Sequence, residues 1–249
     1  VASHSFGELQ GFGLAAWMSR EANYFGHNAI KNKKGFATCA GLPHIKGRNL
    51  WNGPILSHDF VEAALLRRAG WAVRLLPTLT GSFEQAPVDL IAHVKRDARW
   101  CLGNFQHSHI LGAAGLHSIS RFHFISGIFT YLSSAMWLVT LLIWSLLDST
   151  RTGVGGILAT AAFAVIAANL LMPRALGILH RLHGKSQKNW IVITSAIVET
   201  LFSSLFAPSL MVQRVKIIIS IVTRKKMNWA PVETSRRGIL DYFIFHWLE

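Results

Sequence analysis

Two apolar stretches in the second half of the chain set the strongest limit on its fold. "FHFISGIFTYLSSAMWLVTLLIWSLL" fills residues 122–147 and "GVGGILATAAFAVIAANLLMP" fills 153–173. A helix needs about 20 predominantly apolar residues to cross the hydrocarbon core of a bilayer. Within that core the backbone must satisfy its own hydrogen bonds, so both stretches are expected as transmembrane helices joined by the short link "DSTRT". Trp137 and Trp144 suit the membrane interface.

A third run, 190–212, is less uniform, because it contains Glu199 and Pro208. A carboxylate in a membrane segment is expected to face protein, water or a partner. The distribution of basic residues sets the orientation. If the first span leaves the cytosol, the second returns to it. Arg174, Arg181, Lys185 and Lys188 then lie on the cytosolic side, as does the polar segment 1–121. A single crossing by the third run would strand Arg214, Lys216, Arg224, Lys225 and Lys226 outside. The segment 190–223 is therefore expected as a Pro-broken hairpin, or as a re-entrant or interfacial segment.

Composition agrees with a membrane protein: 51% of residues are hydrophobic and 15% charged. The net charge of +13 favours anionic partners. The basic residues flank apolar runs instead of forming one polar domain, which argues for phospholipid or nucleotide and against nucleic acid. Cys39 and Cys101 form no metal or disulfide framework and are expected as reduced thiols. The first residue, Val1, suggests a piece of something longer.

The first half reads as mixed α and β. "SHDFVEAALLRRAG" (57–70) is expected as a helix capped by Ser57 and ended by Gly70. "WAVRLLP" (71–77) is expected as a strand. "DLIAHVKRDARWCLGNFQH" (89–107) has apolar residues on one helical face. On that last helix, Arg96, Arg99 and Trp100 sit at offsets of three and four, beside the apolar stripe. Two guanidiniums on one face can bind a phosphate group, and an indole beside them can stack on a sugar or base. The same residues also suit a basic, Trp-anchored helix lying on a membrane surface.

Asp59 falls in the first turn of its helix, where the macrodipole favours a carboxylate. It is either an ordinary helix-start acid or a general base with His58 beside it. Glu62 and Glu84 are either accessory carboxylates or, the simpler reading for each, surface residues. In "GHNAI" (26–30), His27 and Asn28 can hydrogen-bond hydroxyls, although a turn is the simpler reading. The pair His107 and His109 has no evident third metal ligand and is taken as structural or interfacial.

In this order, "SHD", "RDARW" and an apolar run resemble the membrane-embedded inverting glycosyltransferases related to cellulose synthase. The strings "YFGHNAI", "GPILSHDFVEAALLRRAGW", "GSFEQAP", "KRDARWCLGN" and "FSSLFAPSLM" are similar to one branch, the glucans biosynthesis glucosyltransferase H family. The resemblance covers most of residues 15–237. It implies an α/β fold, the C-terminal part of a GT-A-like catalytic domain (1–121), followed by a helical membrane region (122–249). It implies a bacterial inner-membrane enzyme that moves glucose from UDP-glucose to the β-glucan backbone of osmoregulated periplasmic glucans.

Under the resemblance Asp59 is the base, Arg96 and Arg99 bind the donor diphosphate, and Trp100 with His27 and Asn28 meets the acceptor. The intact enzyme is expected to need Mg²⁺ or Mn²⁺. Residues 1–58 hold no D-x-D, so its ligands are expected elsewhere, in a missing N-terminal half or another glucan-synthesis protein. The alternative is a non-catalytic membrane scaffold or pore-type protein whose basic helix meets lipid.

Overall fold

The computed structural model describes residues 2–24, 28–39, 41–46, 53–79, 81, 87, 89–146, 154–183 and 189–223. Seven α-helices occur among them: α1 (Ala2–Met18), α2 (Lys33–Cys39), α3 (His58–Arg68), α4 (Leu90–Gln106), α5 (Ser118–Leu146), α6 (Val154–His183) and α7 (Asn189–Val222). One turn of 3₁₀ helix, His107–His109, continues α4.

The two apolar runs are helical as expected. α5, α6 from Gly156 and α7 are all long and apolar enough to cross a membrane. α7 corrects one expectation. Pro208 lies inside a single continuous helix of 34 residues, and no hairpin forms there. Proline removes one backbone donor, and long apolar helices tolerate that loss where neighbouring groups re-satisfy the freed carbonyl.

A second correction concerns the sheet. Among the described residues there is no strand, so the α/β expectation is not met in them. The segment expected as a strand, 71–77, contributes a single parallel bridge between Val73 and Glu21. Ala22 N donates to Val73 O at 3.0 Å, and Val73 N donates to Arg20 O at 3.0 Å. A strand is defined by its partner, and only this one residue pair finds one.

The chain divides into two compact units. One comprises 1–17 and 137–209, the other 18–136 and 210–249. In the first, Ser3 donates from its backbone N and its hydroxyl to Glu199 Oε2, at 3.1 and 2.9 Å. The carboxylate of α7 thus faces protein, as its place in an apolar run requires.

The second unit carries the core that positions the site. Ile45, Ile55, Val61, Ala64, Leu65, Ile110, Leu116 and Phe124 pack together. Burying each of the larger of these side chains is worth about 1.5–3 kcal/mol. A second cluster joins α4, the first half of α5 and the end of α7 through Val94, Cys101, Tyr131, Ile217 and Ile221. Beside it Arg214 Nε donates to Asp97 Oδ2 at 3.0 Å. Glu21 forms a bidentate pair with Arg67 and fixes α3 against the segment that follows α1.

Candidate active site

α4 begins at Asp89, whose carboxylate accepts from Ala92 N at 2.6 Å, an N-cap that fixes where the helix starts. From there the helical period sets two faces. Val94, Asp97 and Cys101 turn toward the end of α7. The turn holding Arg96, Arg99 and Trp100 lies off that face, and Trp100 is 42% exposed. The Arg96 guanidinium lies over the Trp100 ring, 4.6 Å from its centroid. Arg96 Nε is buried and has no hydrogen-bond partner among the described residues. This cation–π contact places the Arg96 charge beside the indole.

The C-terminal half of α4 grips the segment that leads into α3. Gln106 accepts from Leu56 N at 2.9 Å and donates to Pro54 O at 3.1 Å. His107 Nε2 lies 2.8 Å from Ser57 O. The His107 ring is fully buried between Phe60 and Phe124, with centroids at 5.9 and 4.9 Å. Burial pushes its pKa down, only partly offset by the Ser57 carbonyl, so the ring is held neutral. His107 is thus a buried strut that ties α4 to the start of α3.

Gly103 makes the contact close. A Cβ there would meet Ser57 Oγ at 2.3 Å and Ser57 N at 2.5 Å. Ser57 occupies the N-cap position of α3, but its side chain makes no capping bond. Its hydroxyl turns instead toward Trp100 O, at 3.5 Å. The start of α3, with Asp59 two residues on, is thus fastened to the turn of α4 that carries Trp100.

Asp59 is partly buried. Its Oδ1 accepts no hydrogen bond among the described residues, although His58 Nδ1 stands 3.4 Å away. His58 Nδ1 also lies 3.0 Å from Glu62 Oε1, without hydrogen-bond alignment to either carboxylate. Glu62 is not a spare acid. Lys31 Nζ donates to its Oε2 at 2.8 Å, and the Tyr24 hydroxyl donates to the same oxygen. Burial alone would raise this carboxyl, but the bonds from Lys31 and Tyr24, with the Lys31 and His58 charges, hold it below its ordinary range. Burial and the neighbouring carboxylate push the Tyr24 hydroxyl up, so it stays a donor. The Lys31 ammonium also lies over the rings of Tyr24 and Phe36, at 4.5 and 4.6 Å.

His58, Asp59 and Glu62 bring three donor atoms within 4.8 Å of one another. They do not suit a divalent cation. The Glu62 carboxylate is already neutralised by the ammonium on its Oε2, which would repel a second cation, and all three groups come from one turn of helix.

Of the other residues singled out in the sequence, Asn28 is exposed, three residues before Lys31. His27 and Glu84 lie outside the described residues. Sequence reasoning did not find Tyr24, Lys31, Gly103 or Gln106 as site supports. Gly103 did carry a signal, because a glycine inside a helix costs about 1 kcal/mol relative to alanine.

The model of glycosyl transferase family group 2 matches residues 9–173. The chain belongs to this family. It is also similar to proteins named glucans biosynthesis glucosyltransferase H. The protein from Vibrio cholerae serotype O1 is 39% identical across 92% of this chain and 35% of its own length. The protein from Bradyrhizobium diazoefficiens is 35% identical across 95% and 34%, and that from Shewanella baltica 36% identical across 92% and 35%. The chain thus spans about a third of the length of the curated relatives it matches. No solved structure matches it. The family is one of glycosyl transferases, and the three long apolar helices fit a membrane-associated protein.

Proposed function

We propose that the chain forms the acceptor and leaving-group side of an inverting glucosyltransferase that transfers glucose from UDP-glucose to the β-glucan backbone of osmoregulated periplasmic glucans. One observation carries this reading: the tie between the start of α3 and the Trp100 turn of α4. That tie joins the turn that carries Trp100 to the start of α3, where Asp59 lies two residues past Ser57 with no hydrogen bond on Oδ1 among the described residues. In the proposed roles Asp59 takes the proton from the acceptor hydroxyl as that oxygen attacks the anomeric carbon. Arg96 and Arg99 stabilise the charge that gathers on the departing UDP. Fixed cations do this best where water is scarce. Trp100 offers its free face to the acceptor sugar, with His27 and Asn28 as further acceptor contacts. Glu62, held by Lys31 and Tyr24, keeps the first turn of α3 in place.

Such an enzyme uses Mg²⁺ or Mn²⁺ on the donor diphosphate, and residues other than His58, Asp59 and Glu62 are expected to hold it. The proposed setting is the bacterial inner membrane, with residues 1–121 cytosolic and the membrane region in 122–249. Phospholipid and other glucan-synthesis proteins are the expected partners.

The test is incorporation of labelled glucose from UDP-glucose into polymer, in membranes where the protein works together with the donor-binding side of the enzyme. Asp59→Asn is expected to lower turnover by at least about 10²-fold with unchanged helicity; turnover equal to wild type rejects the base. Arg99→Lys is expected to weaken UDP binding nearly as much as Arg99→Ala, because only a guanidinium bridges two phosphate oxygens. If the lysine variant binds and turns over normally, the helix serves only as a basic membrane contact.

A further inference from the structure

In the unit formed by 1–17 and 137–209, α6 and α7 flank an open groove of about 340 Å³. That lies within the roughly 300–1,000 Å³ typical of small-ligand pockets. Its walls are apolar: Leu171 and Ile178 from α6, and Ile193, Ile197 and Leu201 from α7. Two polar side chains line it. The Thr200 hydroxyl is satisfied within its own helix, donating to Ala196 O at 2.7 Å. The other is Arg174, whose Nε is buried with no hydrogen-bond partner among the described residues.

A lone guanidinium in an apolar groove asks for a ligand that is both anionic and long-chained. A free nucleotide or sugar phosphate would satisfy the charge and leave the apolar walls uncovered. The depth is also right for a lipid. Residues 154–173 rise about 30 Å as a helix at about 1.5 Å per residue. That matches the roughly 30 Å of hydrocarbon in a bilayer. Arg174 follows directly, at the level where acyl chains give way to phosphates. Leu171 sits one turn to the hydrocarbon side of it and Ile178 one turn to the other.

We infer that this groove is a binding site for an anionic glycerophospholipid, with the phosphodiester on Arg174, its headgroup beside Ile178 and Ile193, and an acyl chain along Ile197, Leu201 and Leu171. The site is independent of the glucosyl-transfer chemistry. An anionic headgroup is preferred because the groove offers no carboxylate to receive the ammonium of a zwitterionic one. Basic pockets between membrane helices bind acidic headgroups in this manner.

The test is lipid retention. The protein is reconstituted with phosphatidylglycerol in excess phosphatidylcholine, extracted into mild detergent, and weighed by native mass spectrometry. The wild-type chain is expected to keep one phosphatidylglycerol and no phosphatidylcholine. Arg174→Gln is expected to lower retention about tenfold, the scale of one charge-assisted contact. Ile193→Trp, which fills the groove and leaves the charge, is expected to lower it as well. Leu205→Trp, exposed on α7 outside the lining, is expected to change nothing. Glycerol phosphate in solution should not displace the lipid, which separates a lipid site from a phosphate site.

Equal retention of the two lipids by the wild type overturns the inference. So does unchanged retention in Ile193→Trp, or displacement by glycerol phosphate. Circular dichroism verifies that each variant keeps its helices. Should Arg174→Gln fail to fold, the Ile193→Trp and displacement results still decide the matter.

Discussion

Replacing Gly103 with alanine sets two opposing effects against each other in a way the structure can rank. Alanine is the better helix former by about 1 kcal/mol. Its Cβ, however, would stand 2.5 Å from the backbone N of Ser57 and 2.3 Å from its Oγ. The hydroxyl can rotate away, but the backbone cannot, because Gln106 and His107 hold the residues on either side of that nitrogen. To reach ordinary contact near 3.4 Å, the start of α3 must retreat by about 0.9 Å. Overpacking of this kind costs about 1–3 kcal/mol, so the net loss of stability is at most about 2 kcal/mol.

The functional loss is expected to be larger. A displacement of about 1 Å between reacting groups can cost about 10²-fold in rate, and Asp59 moves with Ser57. Glucose incorporation by Gly103→Ala is therefore expected to fall about a hundredfold. The midpoint of thermal unfolding, followed by circular dichroism, should fall by no more than about 8 °C, at about 2–4 °C per kcal/mol for a chain of this size. Gly13→Ala, where a Cβ meets nothing within 4 Å, is the control and should lose neither. Wild-type turnover in Gly103→Ala would refute the claim that this contact sets the geometry of the site.

Lys31→Met removes the cation from buried Glu62 and is expected to cost about 1–3 kcal/mol of stability, read from thermal melts. In the wild type the Glu62 carboxyl is held below its ordinary value of 4.5. Its contribution is complete above that pH and lost as pH falls through the lowered folded value. In Lys31→Met the folded carboxyl loses its main lowering partner, so the loss of stability on acidification should be smaller than in the wild type; superimposable melting profiles against pH would reject the pairing. Arg214→Gln leaves Asp97 without its guanidinium and should cost about 1–3 kcal/mol. The double variant Arg214→Leu with Asp97→Leu should recover most of that, and failure to recover would show that the pair does more than neutralise a buried charge.

The parts of this molecule legible in the sequence are those set by short-range periodicity. The apolar runs at 122 and 153 gave α5 and α6, because length and composition alone force helix within a bilayer. The offsets of Arg96, Arg99 and Trp100 placed them together because one helix turn relates them. Residues 71–77 were misread because a β-rich composition makes a strand only when a partner lies alongside. Here Glu21, some fifty residues away, pairs with Val73 alone. Pro208 was overweighted: one lost hydrogen bond did not break a helix apolar along most of its length. The grip of Gln106 and His107 on residues 54–57 was invisible for the same reason as the missing strand. It depends on where two distant segments meet, and no local pattern encodes that. Lys31 likewise carries no local signal, because its partner Glu62 lies 31 residues further along the chain.

Cys101 lies fully buried in the seam between α4, Tyr131 and the end of α7, and burial pushes its thiol up to about 12. Cys39 is partly exposed. A thiol reagent should therefore mark Cys39 at once and reach Cys101 only when the seam parts. In a Cys39→Ser background, the rate of labelling at the remaining thiol becomes a clock for how often the arginine-bearing helix lifts from its support. Whether UDP slows that clock can be asked without adding a single foreign probe site.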